Sequence, residues 1–257
     1  MIQVHNGLAG IKVSWEMERY LTKKEKIRDF REKYLPTWAI LPLVSIVILN
    51  CLIYWGSGML TASRYHFDFT SSLDRAVPLI PQFVWIYILA FPFWAANYIL
   101  AAQRGKDGFY RFVATDLTVH IACFIIFLIL PTTNVRPEIS GSTWSEQILR
   151  MVYLVDGGSS PSNLFPSIHC YVSWLSWRGV RKSEKIPKWY QHFSLIFAVL
   201  IIISTQVLKQ HYLVDAVAGV GMVEMAWRFY SKGKRHEMFR YFFEKVSRMY
   251  NQNKKKN

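Results

Sequence analysis

Cysteine is scarce: three residues in 257, Cys51, Cys123 and Cys170, with no paired spacing among them. That pattern excludes a disulfide framework and a cysteine-based metal site, and it reads the three as small buried apolar residues. Acidic residues are also few, 17 against 31 Lys and Arg, which leaves a net charge of +14. No internal repeat occurs, and the one low-complexity tract is the "KKK" near the end, so most of the length belongs to one domain. The opening "MIQVHNGLAG" lacks a cationic stretch followed by an apolar one, so no signal peptide is expected there.

What the chain does have is clustered apolar sequence. Hydrophobic residues make up 52%, and they gather in six segments, roughly 37–55, 81–102, 113–130, 165–180, 190–208 and 212–230. Most approach the ~20 residues needed to cross a bilayer. The fourth, with "SIHCYVSWLSW", is short and polar and is plausible only inside a bundle. Ahead of them, "YLTKKEKIRDFREKYLP" (20–36) reads as a basic amphipathic helix on the membrane surface or a solvated leader helix.

The basic residues sort by side. Eight lie in 1–36, three in 103–112, five from Arg178 to Lys188 and ten from Arg228 onward, all on alternate connections. Only Arg64, Arg75, Arg136, Arg150 and Lys209 fall on the other side. This is a positive-inside pattern, and the excess is a topology signal and a surface for anionic lipid, not a nucleic-acid site. Trp38, Trp55, Trp189 and Trp227 sit at segment ends, as headgroup-zone aromatics do. The expected fold is all-α, a polytopic six-transmembrane-helix bundle in the plasma membrane with both termini cytoplasmic. The leader occupies 1–36, the six-helix membrane domain 37–230 and a basic cytoplasmic tail 231–257.

On that map the unusual polar residues converge at the outer face. Arg136 follows the third segment, Ser167 and His169 open the fourth, and Lys209, His211 and Asp215 lie between the fifth and sixth. Titratable groups beside bilayer-spanning segments are costly, and their convergence marks a site. His211 and Asp215 are spaced i, i+4, so on a helix they share a face. The Asp can hold one imidazole nitrogen as N–H and free the other as a nucleophile or base. A structural hydrogen bond at a helix start is the plainer account of the pair. Two His and an Asp also admit zinc, although no His-x3-His or Cys-x2-Cys spacing accompanies them. In "NLFPSIHC", Pro166 is expected in the first helical turn, with Ser167 and the free N–H groups after it forming an anion cradle. His169 is placed to donate a proton, and Arg136 and Lys209 add fixed positive charge. The ensemble describes a site for a dianionic phosphate.

These residues resemble the type-2 phosphatidic acid phosphatases, a superfamily of lipid phosphate phosphatases and phosphotransferases. The family pattern is a Lys, six residues, Arg-Pro; then Pro-Ser-Gly-His; then Ser-Arg, five residues, His, three residues, Asp. This chain has Arg136-Pro137, "PSIH" at 166–169 and "STQVLKQHYLVD" at 204–215, over a region of roughly 81–230. It departs at Ile129, Ile168 and Thr205, where the family has Lys, Gly and Arg. Lys209, four residues after Thr205, is expected to bring a cation to the same helix face. "FPSIH" and "KQHY" look more like the branch of inositol phosphorylceramide synthases, in which an alcohol accepts the phosphoryl group. The resemblance implies that His211 attacks phosphorus and forms a phosphohistidine, that Asp215 orients it and that His169 protonates the leaving alcohol. Arg136, Ser167, Ser204 and Lys209 would bind the phosphate, so no metal or cofactor is called for.

Two function classes stay open at this point. The first is a membrane enzyme that hydrolyses or transfers a lipid phosphate at the outer face. The second is a non-catalytic lipid binder or transporter, but a transporter should carry polar residues through both leaflets, and here they gather at one end. His120, one turn after Asp116, reads as a buried structural pair, and His5, His66, His192 and His236 as surface or interface residues. "SLDRAVPLIPQF" (72–83) has two readings, a wall of the lipid entrance or simply a proline-broken connection entering the second segment.

Overall fold

The computed structural model describes residues 23–157 and 161–254. Residues 23–34 form a largely exposed helix, α1, within the expected leader, whose residues 20–22 lie outside the described ones, as does His5. Then follow α2 (Thr37–Thr61), the short α3 (Ser72–Ala76), α4 (Val84–Ala101) and α5 (Gly105–Ile129). After these come α6 (Trp144–Val155), α7 (Ile168–Val180), α8 (Lys188–Val207), α9 (Leu213–Ser231) and α10 (Glu237–Lys254). A single parallel pairing of β1 (Phe67–Asp68) with β2 (Thr132–Thr133) joins the connections that follow α2 and α5.

Each of the six apolar segments is helical. Among the described residues three stretches are long and apolar enough to cross a membrane: Thr37–Thr61, Pro81–Ile129 and Lys188–Val207. The middle one contains both α4 and α5, joined through Ala102–Arg104 and Gly105, whose φ of 74° suits glycine. The weak fourth segment becomes α7, 13 residues or ~20 Å, well short of the ~30 Å hydrocarbon core. It is enclosed by α4, α5, α8 and α9, and Cys170, Tyr171, Val172, Leu175 and Val180 are buried. Enclosure is what lets a polar helix sit there: the Ser173 hydroxyl meets Trp94 Nε1 at 2.9 Å, and Glu224 of α9 accepts from Trp174 Nε1 at 2.8 Å. Such bonds between helices replace water inside a bilayer.

Besides the single-turn α3, two longer helices among the described residues were not anticipated. The region after Ser231 carries α10, which packs on α2 and α5 with Phe243 buried. Just before it His236, expected at the surface or an interface, is buried and meets the exposed Asp107 of α5 at 2.7 Å. The other is α6, between Arg136 and the start of α7. Thr143 and Glu146 form its capping box, and Leu149 and Tyr153 face inward.

Candidate functional site

The site forms where the ends of α7, α8 and α9 meet. Helix α8 stops at Val207, and Lys209 takes the left-handed conformation, φ 53°. The N–H groups of Gln210 and His211 then turn back onto Thr205 O, at 2.9 and 3.1 Å. This corrects the expectation that Thr205 and Lys209 share a helix face. Thr205 is buried, its hydroxyl donating to Ile202 O at 2.8 Å, whereas Lys209 leaves the helix and donates to Asp74 O at 2.7 Å and to Val77 O. Burial lowers the Lys209 ammonium pKa, with Asp74 opposing.

His211 is held on one nitrogen. Nδ1 faces two acceptors, Leu164 O at 3.1 Å and Asp215 Oδ2 at 3.4 Å, so it carries the proton and Nε2 is the free nitrogen. Leu164 is itself fixed, because Leu164 and Phe165 donate their N–H groups to the Thr132 hydroxyl of β2 at 3.0 and 2.8 Å. Asp215 also accepts the Tyr212 N–H at 2.9 Å, capping α9. Gly219, one turn on, lets α9 press against the start of α7: a Cβ there would stand 2.7 Å from Ser167 O.

His169 lies across from His211, with ring centroids 5.7 Å apart. It stacks on Tyr87 at 4.8 Å and meets Trp94 edge-on at 5.3 Å, and its Nε2 is buried without a hydrogen-bond partner. Its position in α7 corrects one detail: Ser167 is the N-cap, accepting Cys170 N–H at 3.2 Å, and Pro166 precedes the helix instead of entering its first turn.

Two cavities meet at His211. One, of 280 Å³, is the more polar of the two and is lined by Arg75, Arg136, Lys209, Asp74 and Asn134 besides His211. The other, of 530 Å³, is mostly apolar, with Trp55, Phe91, Met151 and Val155 in its wall and both His169 and His211 on it. Arg136 lies 5% exposed. Its guanidinium donates to Asp156 O at 2.9 Å, to Gln210 Oε1 at 2.6 Å and to the Asp156 carboxylate, and it covers the Tyr153 ring at 4.8 Å. Burial lowers its pKa to about 10, so it stays cationic at neutral pH.

The structure thus brings His169, His211, Asp215, Arg136 and Lys209 together. Neither Ser167 nor Ser204 lines either cavity: Ser167 caps α7, and the Ser204 hydroxyl donates to Ile201 O at 2.7 Å within α8. Sequence reasoning missed Asp156 and Tyr54. The Tyr54 hydroxyl donates to Asp156 Oδ1, so this pair joins α2 to the residue after α6 and holds Arg136 between them. The capping box "TWSE" is the signal that marks α6 and hence Asp156. His120 forms its expected buried pair, Nδ1 to Asp116 Oδ2 at 3.0 Å. Among the described residues no group of three or more His, Cys, Asp or Glu side chains is arranged to hold a metal ion.

No curated protein and no solved structure matches the chain. A family model does, over residues 59–229, which contain both cavities' histidines and the three motif stretches. The chain belongs to the PAP2 superfamily.

Proposed function

We propose that this protein is an integral-membrane lipid-phosphate phosphatase that works through a phosphohistidine on His211. The observation that carries the reading is the position of His211. Its Nδ1–H is tied to Leu164 O and Asp215, and it sits where a cationic cavity adjoins an apolar one. A phosphate on an apolar tail matches that pair of surroundings.

In the first step the Nε2 lone pair attacks phosphorus, the bond from phosphorus to the lipid oxygen breaks, and protonated His169 gives its proton to that oxygen. The lipid alcohol leaves and an Nε2–P bond remains. In the second step neutral His169 takes a proton from water, the resulting hydroxide attacks phosphorus, and the Nε2–P bond breaks to release phosphate. Asp215 and Leu164 O keep Nδ1 protonated throughout and stabilise the positive ring. Arg136 and Lys209 neutralise the charge on the phosphate oxygens. An alcohol in place of water turns the same steps into a phosphotransferase reaction.

The test is phosphate release by purified protein in detergent from phosphatidic acid, phosphatidylglycerol phosphate and polyprenyl diphosphate, with and without added alcohols. Label from phosphate-tagged substrate should remain on the protein after an acid-free quench and disappear in His211→Ala. Turnover in that variant would sink the mechanism. We further place six spans in the membrane, both termini in the cytoplasm and the site on the outer face. Exposed positions Ser142 and Glu184 test this. With Cys51 replaced, an impermeant thiol reagent added outside cells should label Ser142→Cys and spare Glu184→Cys; the reverse would invert the topology.

A further inference from the structure

A third cavity lies at the end of the molecule away from His211. Helices α2 and α5 each run 25 residues, ~37 Å. Their last turns belong to the site: Gly58 of α2 packs beside Ser162 and Asn163, and Thr132 after α5 holds Leu164. Their first turns, with α10, enclose a cavity of 360 Å³. Lys106, Arg240 and Arg248 line it, with Glu244 as its carboxylate. Lys106 Nζ and Arg240 Nε both meet Glu244 Oε1, at 3.0 and 3.1 Å. Glu244 thus balances one cation, and the cavity keeps a positive excess. Among the described residues Arg248 is bonded only through Nε, to Glu244 O of its own helix at 3.3 Å, which leaves its Nη groups for a ligand. Positions 240, 244, 247 and 248 share one helix face, so the Ser247 hydroxyl joins them on the cavity wall.

The same cavity has an apolar side that leads into the bilayer. Trp38 and Leu41 of α2 stand in its wall, and Val44, Ile48 and Leu52 continue the Leu41 face, exposed, along α2. Helix α10 is itself apolar on two faces. Phe239 and Phe243 pack inward, whereas Met238, Phe242, Val246 and Met249 form an exposed stripe. A helix of this kind lies in the bilayer interface, with its apolar residues among the chains and its basic ones at the headgroups. That seat brings the cavity to headgroup depth, with the α2 stripe beneath it for an acyl chain. A soluble phosphate would use the cations and leave both stripes unexplained. Stapling of α10 to α5 accounts for Lys106, Arg240 and Glu244, and leaves Arg248 and Ser247 without a task. Basic pockets between spanning helices on the cytoplasmic side take anionic lipid headgroups, and this end is the one we place in the cytoplasm.

We propose that the cavity between α10 and the first turns of α2 and α5 binds the phosphate of an anionic phospholipid in the leaflet opposite the catalytic site, a lipid that is held there and not turned over. The test is thermal unfolding of the purified protein in an uncharged detergent with phosphatidylglycerol, against the same amount of phosphatidylcholine. The wild type should unfold about 2–4 °C higher with phosphatidylglycerol, the scale of one occupied site. Arg240→Gln with Arg248→Gln should lose that difference. Arg248→Gln alone, which breaks no tie between helices, should lose about half of it and serves if the double variant does not fold. Lys232→Gln with Lys234→Gln removes as much charge from exposed positions outside the cavity and should keep the difference. No difference in the wild type, or one that survives in the Arg240 and Arg248 variants, would overturn the proposal. So would an equal loss in the Lys232 and Lys234 variant, which would reduce the effect to diffuse surface charge. Millimolar orthophosphate should give no stabilisation that the Arg variants remove; if it does, the cavity serves a soluble phosphate and the lipid assignment falls. None of these measurements requires turnover, so their outcome is independent of the reaction at His211.

Discussion

In α5, Asp116 precedes His120 by four residues; at the start of α9, His211 precedes Asp215 by the same interval. Both pairs are buried, and both use histidine Nδ1. They differ in the second nitrogen. His120 Nε2 is closed off by Asn50, and Asp116 is bonded on both oxygens, by His120 and Tyr98. His211 Nε2 is left at the junction of two cavities, and Asp215 Oδ1 is buried without a partner. An i, i+4 spacing makes the pair; the environment of the remaining nitrogen decides whether it supports a helix bundle or chemistry. The same sequence signal thus yields a structural pair in the sealed interior and a candidate nucleophile where helix ends meet.

The sharpest way to break this comparison is to remove each histidine. His211→Ala is expected to lower phosphate release by about 10⁴-fold or more, as loss of a reacting group does. His120→Ala is expected to act on stability instead, by about 3–5 kcal/mol, because it leaves the Asp116 carboxylate buried without its partner. Denaturation in detergent together with activity per folded molecule separates the two. A His120 variant that folds normally but is as inactive as His211→Ala would erase the distinction.

Asp215→Asn comes next. Loss of an orienting carboxylate costs about 10⁴-fold in a serine-protease triad. Here Leu164 O shares the task at 3.1 Å, closer than Asp215 at 3.4 Å. The expected drop in kcat is therefore smaller, about 10²-fold. No drop would reduce Asp215 to a helix cap, and a drop equal to that of His211→Ala would give it a direct part in the chemistry.

Much of the site was legible because its residues come in short motifs whose helical spacing carries meaning. His169, His211 and Asp215 are in contact or facing one another as the spacing implied, and Arg136 and Lys209 line the same cavity. The failures have physical causes. "VLKQHY" contains no Gly or Asn to announce a left-handed residue, yet Lys209 adopts φ 53° and ends the helix that was to align it with Thr205. Ser167 and Ser204 are the right type of residue, but capping and a bond within α8 use their hydroxyls. Asp156 and Tyr54 stand 102 residues apart, and a single sequence holds no signal for such a contact. Helix α6 has only a narrow apolar stripe, so a search for spanning segments passed over it.

The smallest expected effect concerns Asp74, a carboxylate in the wall of the cavity that His211 also lines. Asp74 Oδ1 accepts the Leu213 N–H and Oδ2 the Ser71 N–H, each at 2.8 Å, tying α3 to the first turn of α9. Burial works to raise its pKa, but the bonds from Leu213 and Ser71, with Lys209 nearby, outweigh it, and the value lies below the ordinary 3.8. A depressed carboxylate stabilises the fold fully above its unfolded pKa, and that contribution is lost as pH falls through the folded value. The tie should therefore be constant across neutral and mildly acidic pH and weaken only below 3.8. Asp74→Asn retains one acceptor, so the expected cost is about 1 kcal/mol of stability. Lys209 still donates to the Asp74 backbone carbonyl, so activity should fall only a few-fold. Stability curves of the wild type and Asp74→Asn should run parallel at neutral pH and converge in acid below 3.8, where the wild type loses the charge that the variant never had. Convergence beginning near neutral pH, or an activity loss approaching that of Asp215→Asn, would show that Asp74 shares in the reaction and does not merely hold the frame around His211.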